Sequence, residues 1–175
     1  MPDDEIDDAE FERLRKALDS DEDLVAVLRM QLYIENNLER ILLAYVPKAE
    51  HLLSELGYFK KIKVARKYDL IFRDDVTALE QVASLRNKFA HGMEKLRLTK
   101  QDDIAMVNAM KGTLRDLFMS HSTSIHGYFG GVQGVDGIPT RTALLIINAR
   151  MQALADLMHS PDVQARILRG EKPMD

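Results

Sequence analysis

The sequence predicts an all-α protein of one domain, and three observations carry that expectation. Apolar residues recur at helical spacing along most of the chain, not at the alternating spacing of strands. The 175 residues are 46% apolar and 30% charged, the balance of a globular domain large enough to bury a sizeable core. Aromatics are few, Trp is absent and there are nine Met, a composition that favours helix-on-helix packing.

The elements follow in order. Residues 1 to 20 begin as an acidic tail, Met1-Pro2-Asp3-Asp4-Glu5. Within it residues 9 to 18 form a short helix with Phe11, Leu14 and Leu18 on one side, suited to docking on the core or pairing with another subunit. Ser20-Asp21-Glu22-Asp23 is a helix start, a capping residue followed by acids that suit the helix dipole. The helix runs over residues 23 to 46, with Leu24, Leu28, Ile34, Leu38, Ile41, Leu42 and Tyr45 as its apolar stripe. Glu35, Asn36 and Asn37 interrupt it. Asn is a poor helix former, so the pair requires solvent or a partner. Glu35 is placed either to orient an arginine or histidine of another helix or to make a surface salt bridge.

Pro47 ends this helix and opens the next, a short one over residues 48 to 56 with Leu52, Leu53 and Leu56 inward and His51 at the surface. After Gly57, residues 58 to 68 form a helix with Phe59, Ile62, Ala65 and Tyr68 inward, and Lys60, Lys61, Lys63, Arg66 and Lys67 outward. Leu70-Ile71-Phe72 reads as a buried connector. Arg73-Asp74-Asp75 then starts a helix closed by Gly92, which suits the left-handed position past a helix end. On this helix Ala78, Val82, Leu85 and Phe89 share one face, and Glu80, Ser84, Asn87 and His91 share the opposite one. Arg86 lies at the edge of the apolar face, so its arm must run along the helix surface to bring the guanidinium to a partner.

Beyond a loop over residues 93 to 98, Thr99-x-x-Asp102 is a capping box. It starts a helix over residues 100 to 121, with Ile104, Val107, Met110, Leu114, Leu117 and Phe118 as its stripe and Gly112 in its interior. Residues 127 to 138 are a glycine-rich crossover in which Tyr128 and Phe129 either pack on the body or stack on a base. This segment lacks Gly-Lys-Ser/Thr and a preceding strand, so it is neither a phosphate-binding loop nor a dinucleotide fingerprint. Pro139-Thr140 opens a long helix to about residue 159, and Pro161 a short one to Leu168. The organisation expected is therefore a tail (1–20), a helical core (21–126), the loop (127–138) and C-terminal helices (139–175). The last pack on the same domain or form a dimer interface; they carry more apolar residues than one stripe needs, which makes them the first candidate for a dimer surface.

The stretch Ser84-Leu85-Arg86-Asn87-Lys88-Phe89-Ala90-His91-Gly92 gathers an arginine, an amide and a histidine at one exposed helix end. Arg-Asn-x-x-x-His fits the Arg-x4-6-His signature of the HEPN superfamily. Phe59-Lys60-Lys61-Ile62-Lys63-Val64-Ala65, Leu70-Ile71 and the motif itself, in that order and spacing, resemble the MltR (mannitol operon repressor) family over about residues 24 to 120. The resemblance implies an antiparallel helical bundle with additional short helices, a homodimer, and either a metal-independent ribonuclease or a transcription-regulatory module. It implies catalytic roles for Arg86, Asn87 and His91. Lys60, Lys63 and Lys88 are the candidate phosphate or RNA contacts, and Glu35 a supporting residue.

Residues 57 to 100 hold eleven Lys/Arg and five Asp/Glu, a local +6 within a chain of net charge −4. Positive charge thus surrounds the motif, as in a phosphate-binding patch; a solvated lysine face gives the same count. The acidic total argues against a broad nucleic-acid-coating surface. No helix carries the Arg, Asn and Gln cluster of a DNA reader, which disfavours direct DNA binding.

No cysteine is present, so disulfides and thiolate metal sites are excluded. His121 and His126, five apart with no carboxylate between them, do not match a metal-ligand pattern. No metal or cofactor is expected. No apolar run approaches a membrane span, and the acidic N-terminus is the reverse of a signal peptide; the expectation is a cytoplasmic protein.

The chemistry such a helix end could perform is RNA cleavage. Histidine titrates near neutrality and can carry a proton, and a planar guanidinium can stabilise a pentavalent phosphorane. One histidine does not readily serve as both base and acid, whereas a two-fold dimer supplies two. The alternative is a motif that only organises the fold or dimer, with Arg86 held by a carboxylate such as Glu35 and His91 closing the helix C-terminus, in a module that acts through a protein or RNA partner.

Overall fold

The computed structural model describes residues 23–91, 97–128 and 137–173, without the side chains of His91 and residues 121–128. The acidic tail, Gly92, most of the 93–98 loop, most of the glycine-rich segment including Phe129, and the side chains of His121, His126 and Tyr128 lie outside this set. Among the described residues there are eight α-helices and no strand. They are α1 (Asp23–Tyr45), α2 (Glu50–Ser54, entered through a 3-10 turn at Pro47–Ala49), α3 (Tyr58–Lys67), α4 (Arg73–His91), α5 (Lys100–Ala109), α6 (Gly112–Tyr128), α7 (Ile138–Met158) and α8 (Pro161–Leu168).

Helix α7 is the axis of the molecule. It makes its largest contact with α1 and packs also on α4, α5, α6 and α8. Thr140, the unbroken run from Thr142 to Asn148, Met151, Leu154, Ala155 and Met158 are all buried, so this helix is apolar nearly all round because it is surrounded. Of the two uses that the sequence leaves open for the apolar excess of the C-terminal third, packing on the same domain and a dimer surface, α7 shows the first. Ile34, Leu38 and Ile41 of α1, Val82, Leu85 and Phe89 of α4, Met106 of α5 and Leu114 of α6 belong to the same core cluster. Each such side chain contributes about 2 kcal/mol by leaving water.

The interruption of α1 at Glu35, Asn36 and Asn37 resolves into two environments. Asn36 is exposed. Asn37 is buried and donates from Nδ2 to Asn148 Oδ1 on α7 at 3.2 Å, while accepting from Arg40 Nη1 at 3.1 Å. Asp23, read as a first-turn acid, accepts from the Leu98 amide at 2.7 Å and from Arg141 Nη2 at 2.6 Å, tying α1 to the approaches of α5 and α7.

The helix expected over residues 100 to 121 is two helices. Met110 leaves the helical region (φ −74°, ψ 123°), and Gly112 at the joint has φ +45°, a left-handed conformation that only glycine adopts without strain. The break lets α5 and α6 each lie on α7. Ile104, expected inward, is 51% exposed. Leu52, Phe59, Tyr68 and Phe72, also read as inward or buried, are exposed as well, whereas Lys61, read as outward, is buried. No helix among the described residues is long and apolar enough to cross a membrane.

Candidate functional site

Helix α4 opens with Asp74 and Asp75 in its first turn and buries Ala78, Val82, Leu85 and Phe89, the face that its periodicity predicts. The rest of the helix surface stays in solvent: Ser84, Asn87 and Lys88 on the opposite side and Arg86 at the edge of the apolar face are exposed. Burial of one face and the 3.6-residue period thus present Arg86 and Asn87 outward near the helix end. Arg86 Nη1 donates to Asn87 Oδ1 at 3.1 Å. Among the described residues Arg86 has no carboxylate partner. His91 is the last residue of α4, one turn beyond Asn87.

The other residues expected at this site have other positions. Lys88 donates to Asp102, a buried carboxylate that also accepts from the Thr99 amide at 2.9 Å in the capping box of α5. Lys88, read as a phosphate or RNA contact, therefore couples the end of α4 to the start of α5. Glu35 does not reach Arg86. Its carboxylate accepts from Lys61 Nζ at 2.6 Å and from Gln31 Nε2 at 2.8 Å, and Lys61 also donates to Glu39. The supporting role given to Glu35 is thus structural, a bridge from α1 to α3. Burial lowers the ammonium pKa of Lys61, but the hydrogen bonds and charges of Glu35 and Glu39 outweigh this and raise it. Tyr58 lies beneath, its hydroxyl donating to the Leu79 carbonyl at 3.3 Å, and burial followed by the charge of Glu35 pushes its phenol pKa up.

Lys60 and Lys63 stand on the outer side of α3. Both are exposed, and Lys63 Nζ lies 4.8 Å from the centroid of the Phe59 ring. Because Tyr58 meets α4 at Leu79 and residues 68–72 join α3 to the start of α4, the two helices form an antiparallel hairpin. Arg86 lies seven residues past Leu79, about 10 Å further along the axis, beyond the end of α3 that carries Lys60.

The features missed from sequence are the burial of Lys61 and the exposure of Phe59 and Tyr68. The signals for Lys61 and Phe59 are present on a helical wheel of residues 58 to 67; that for Tyr68, beyond the helix, is not. Lys61 falls in the arc of Tyr58, Ile62 and Ala65, and Phe59 falls between Arg66 and Lys63. No group of three or more His, Asp or Glu among the described residues is arranged to hold a metal ion.

In comparisons with known proteins, the chain matches no family model, and neither a curated protein nor a solved structure is significantly similar to it.

Proposed function

We propose that the protein acts on RNA through the Arg86-Asn87-x-x-x-His91 helix end, as a metal-independent endoribonuclease working as a homodimer. The observation that carries this reading is the state of Arg86. Its guanidinium is exposed, oriented by the neighbouring amide of Asn87, and without a carboxylate among the described residues. An arginine kept to organise a fold would be matched by an acid, and the acid available for that role, Glu35, is taken by Lys61. An oriented guanidinium suits a phosphodiester.

In the proposed reaction a histidine acting as base takes the proton of the ribose 2′-hydroxyl, and the 2′-oxygen attacks the adjacent phosphorus. The bond from phosphorus to the 5′-oxygen breaks, and a histidine acting as acid protonates that oxygen. The products are a 2′,3′-cyclic phosphate and a 5′-hydroxyl. Arg86 stabilises the phosphorane charge, and Asn87 holds Arg86. Two copies of His91, one from each subunit, would divide the base and acid roles.

Purified wild type and Arg86→Ala/His91→Ala, incubated with mixed single-stranded and transfer RNA in EDTA, test the reading. Cyclic-phosphate fragments from the wild type alone, with matched melting and matched mass of the native assembly, support it. The absence of cleavage by the wild type refutes it.

A second reading is favoured by the pairing of Lys88 with Asp102, which draws one cation of the motif into the fold. It makes the chain a non-catalytic, MltR-like regulatory or interaction module in which this helix end holds a partner. Loss of dimerisation or of melting temperature in the double variant, with no cleavage by either protein, is its signature.

A further inference from the structure

We propose that the outer face of α3 is a platform for single-stranded nucleic acid, on which Phe59 and Tyr68 stack bases while Lys60, Lys63, Arg66 and Lys67 hold phosphates. This rests on the RNA reading above and deepens it by placing the binding surface away from the reacting end.

On a helical wheel Arg66, Phe59, Lys63, Lys67 and Lys60 occupy roughly 120° of continuous arc. All five are exposed; Tyr68, at the helix end, stands about 80° beyond Lys60, so it borders the strip on the side away from Phe59 and a strand touching both rings crosses the strip diagonally. Helix α3 contains no acidic residue, and none of its four exposed cations has a carboxylate partner among the described residues. The next acid along the chain, Asp69, is already paired with Lys172 at 3.0 Å. The result is a strip of uncompensated positive charge on a chain that is negative overall.

The aromatic residues make this strip more than a solvated lysine face. Phe59 is 44% exposed and Tyr68 is 46% exposed, and each ring lies near an ammonium, Lys63 at 4.8 Å and Lys67 at 5.8 Å. The Tyr68 ring is propped by Tyr45 of α1, centroid to centroid 5.5 Å, so it presents its free side from a fixed mount. Accessible ring faces beside lysines are what a strand of stacked bases joined by phosphates requires. Protein interfaces, by contrast, are depleted in lysine at their centres. The strip also has a direction. Its Lys60 end is the one nearer, along the α3–α4 hairpin, to Arg86, so a strand lying on α3 leads toward the motif.

Fluorescence anisotropy of the full chain with a labelled oligothymidylate tests this. That probe lacks the 2′-hydroxyl and cannot be cut by the proposed route. Binding is expected, with log affinity falling against log salt at a slope of about −3 for four phosphate contacts. Phe59→Ala is expected to weaken binding about ten-fold and Phe59→Tyr to retain it. Lys60→Glu/Lys63→Glu is expected to weaken it and flatten the slope. Melting temperatures of the variants should match the wild type, since all three side chains are exposed. Absence of binding overturns the proposal, as does equal affinity of wild type and Phe59→Ala. Equal competition by heparin, which has charge and no bases, overturns it too. Binding without RNA cleavage would leave the platform standing and remove the nuclease reading; cleavage without oligothymidylate binding would do the reverse.

Discussion

Asp103 closes the N-terminus of α7 through Thr140 in its first turn. Its Oδ1 accepts from the Thr140 amide at 3.0 Å and from the Thr140 hydroxyl at 2.6 Å, and its Oδ2 accepts from the Gly137 amide at 2.8 Å. The residue at the N-cap position of α7 is Gly137, which has no side chain to supply a cap, so α5 provides one from 37 residues away. The carboxylate meets the positive end of the helix dipole as well as its free N–H groups.

Asp103→Ala should therefore destabilise the protein by about 2–3 kcal/mol, since it removes a charged cap and leaves buried donors unmatched. Urea denaturation followed by circular dichroism measures this. A loss below about 0.5 kcal/mol would mean that water replaces the carboxylate.

Gly112→Ala should destabilise for two separable reasons. The left-handed backbone (φ +45°) disfavours any side chain, and a Cβ there would stand 2.2 Å from Asp74 Oδ2. Strain of this kind costs about 1 kcal/mol, and the clash adds to it unless Asp74 turns away. In a double-mutant cycle, Asp74→Ala should recover the steric part and leave the backbone part. Full additivity would show that Asp74 moves freely.

Lys61→Met should cost about 1–3 kcal/mol at neutral pH by leaving Glu35 and Glu39 side by side without their cation. That is less than for a fully buried pair because both carboxylates keep some contact with water. The folded pKa of Lys61 is raised above its usual value of 10.5, so its contribution is complete below about pH 10.5 and is lost as pH rises through the folded value. Tyr58, whose phenol pKa is also raised, adds an alkaline loss of the same sign. Melting temperature measured from pH 8 to pH 12 should fall more steeply for wild type than for Lys61→Met/Tyr58→Phe. Parallel curves would contradict the assignment.

Arg86→Ala alone should change unfolding free energy by less than about 0.5 kcal/mol, because the side chain is exposed and, among the described residues, bonded only to its neighbour. The same substitution should abolish cleavage if the nuclease reading holds. A drop in melting temperature of several degrees would instead assign Arg86 to holding the fold or the dimer.

Periodicity and caps made much of this structure legible. The starts at Asp23, Arg73 and Pro161 and the Thr99–Asp102 capping box come from local rules that tertiary context did not override, and so does the apolar face of α4. What local rules did not reveal was which helix would be enclosed. The apolar surplus of α7 is equally consistent with a dimer face until α1, α4, α5, α6 and α8 are seen around it. Gly112 reads as interior to one helix because sequence does not report the sign of φ. Lys61 was assigned outward by residue type, although its place on the wheel put it beside Ala65, and its two acids lie 22 and 26 residues earlier on another helix. At the motif end the exposure of Arg86 and Asn87 was legible, while the side chain of His91 lies outside the described residues. The engagement of Lys88 by Asp102 was not legible, since that carboxylate already had a sufficient role as a cap.

The central position of α7 has a consequence for the order in which the molecule can be made. Helical bundles usually fold fast because neighbours in space are neighbours in sequence. Here the principal partner of α1 lies in the last third of the chain, and the Asn37–Asn148 hydrogen bond spans 111 residues. While the ribosome is still adding the segments before α7, the stripes of α1, α4, α5 and α6 have no axis to close upon. The nascent chain carries unsatisfied apolar surface of the kind that chaperones engage. The expected commitment to the native state is a late step, taken once α7 is available to the helices that precede it.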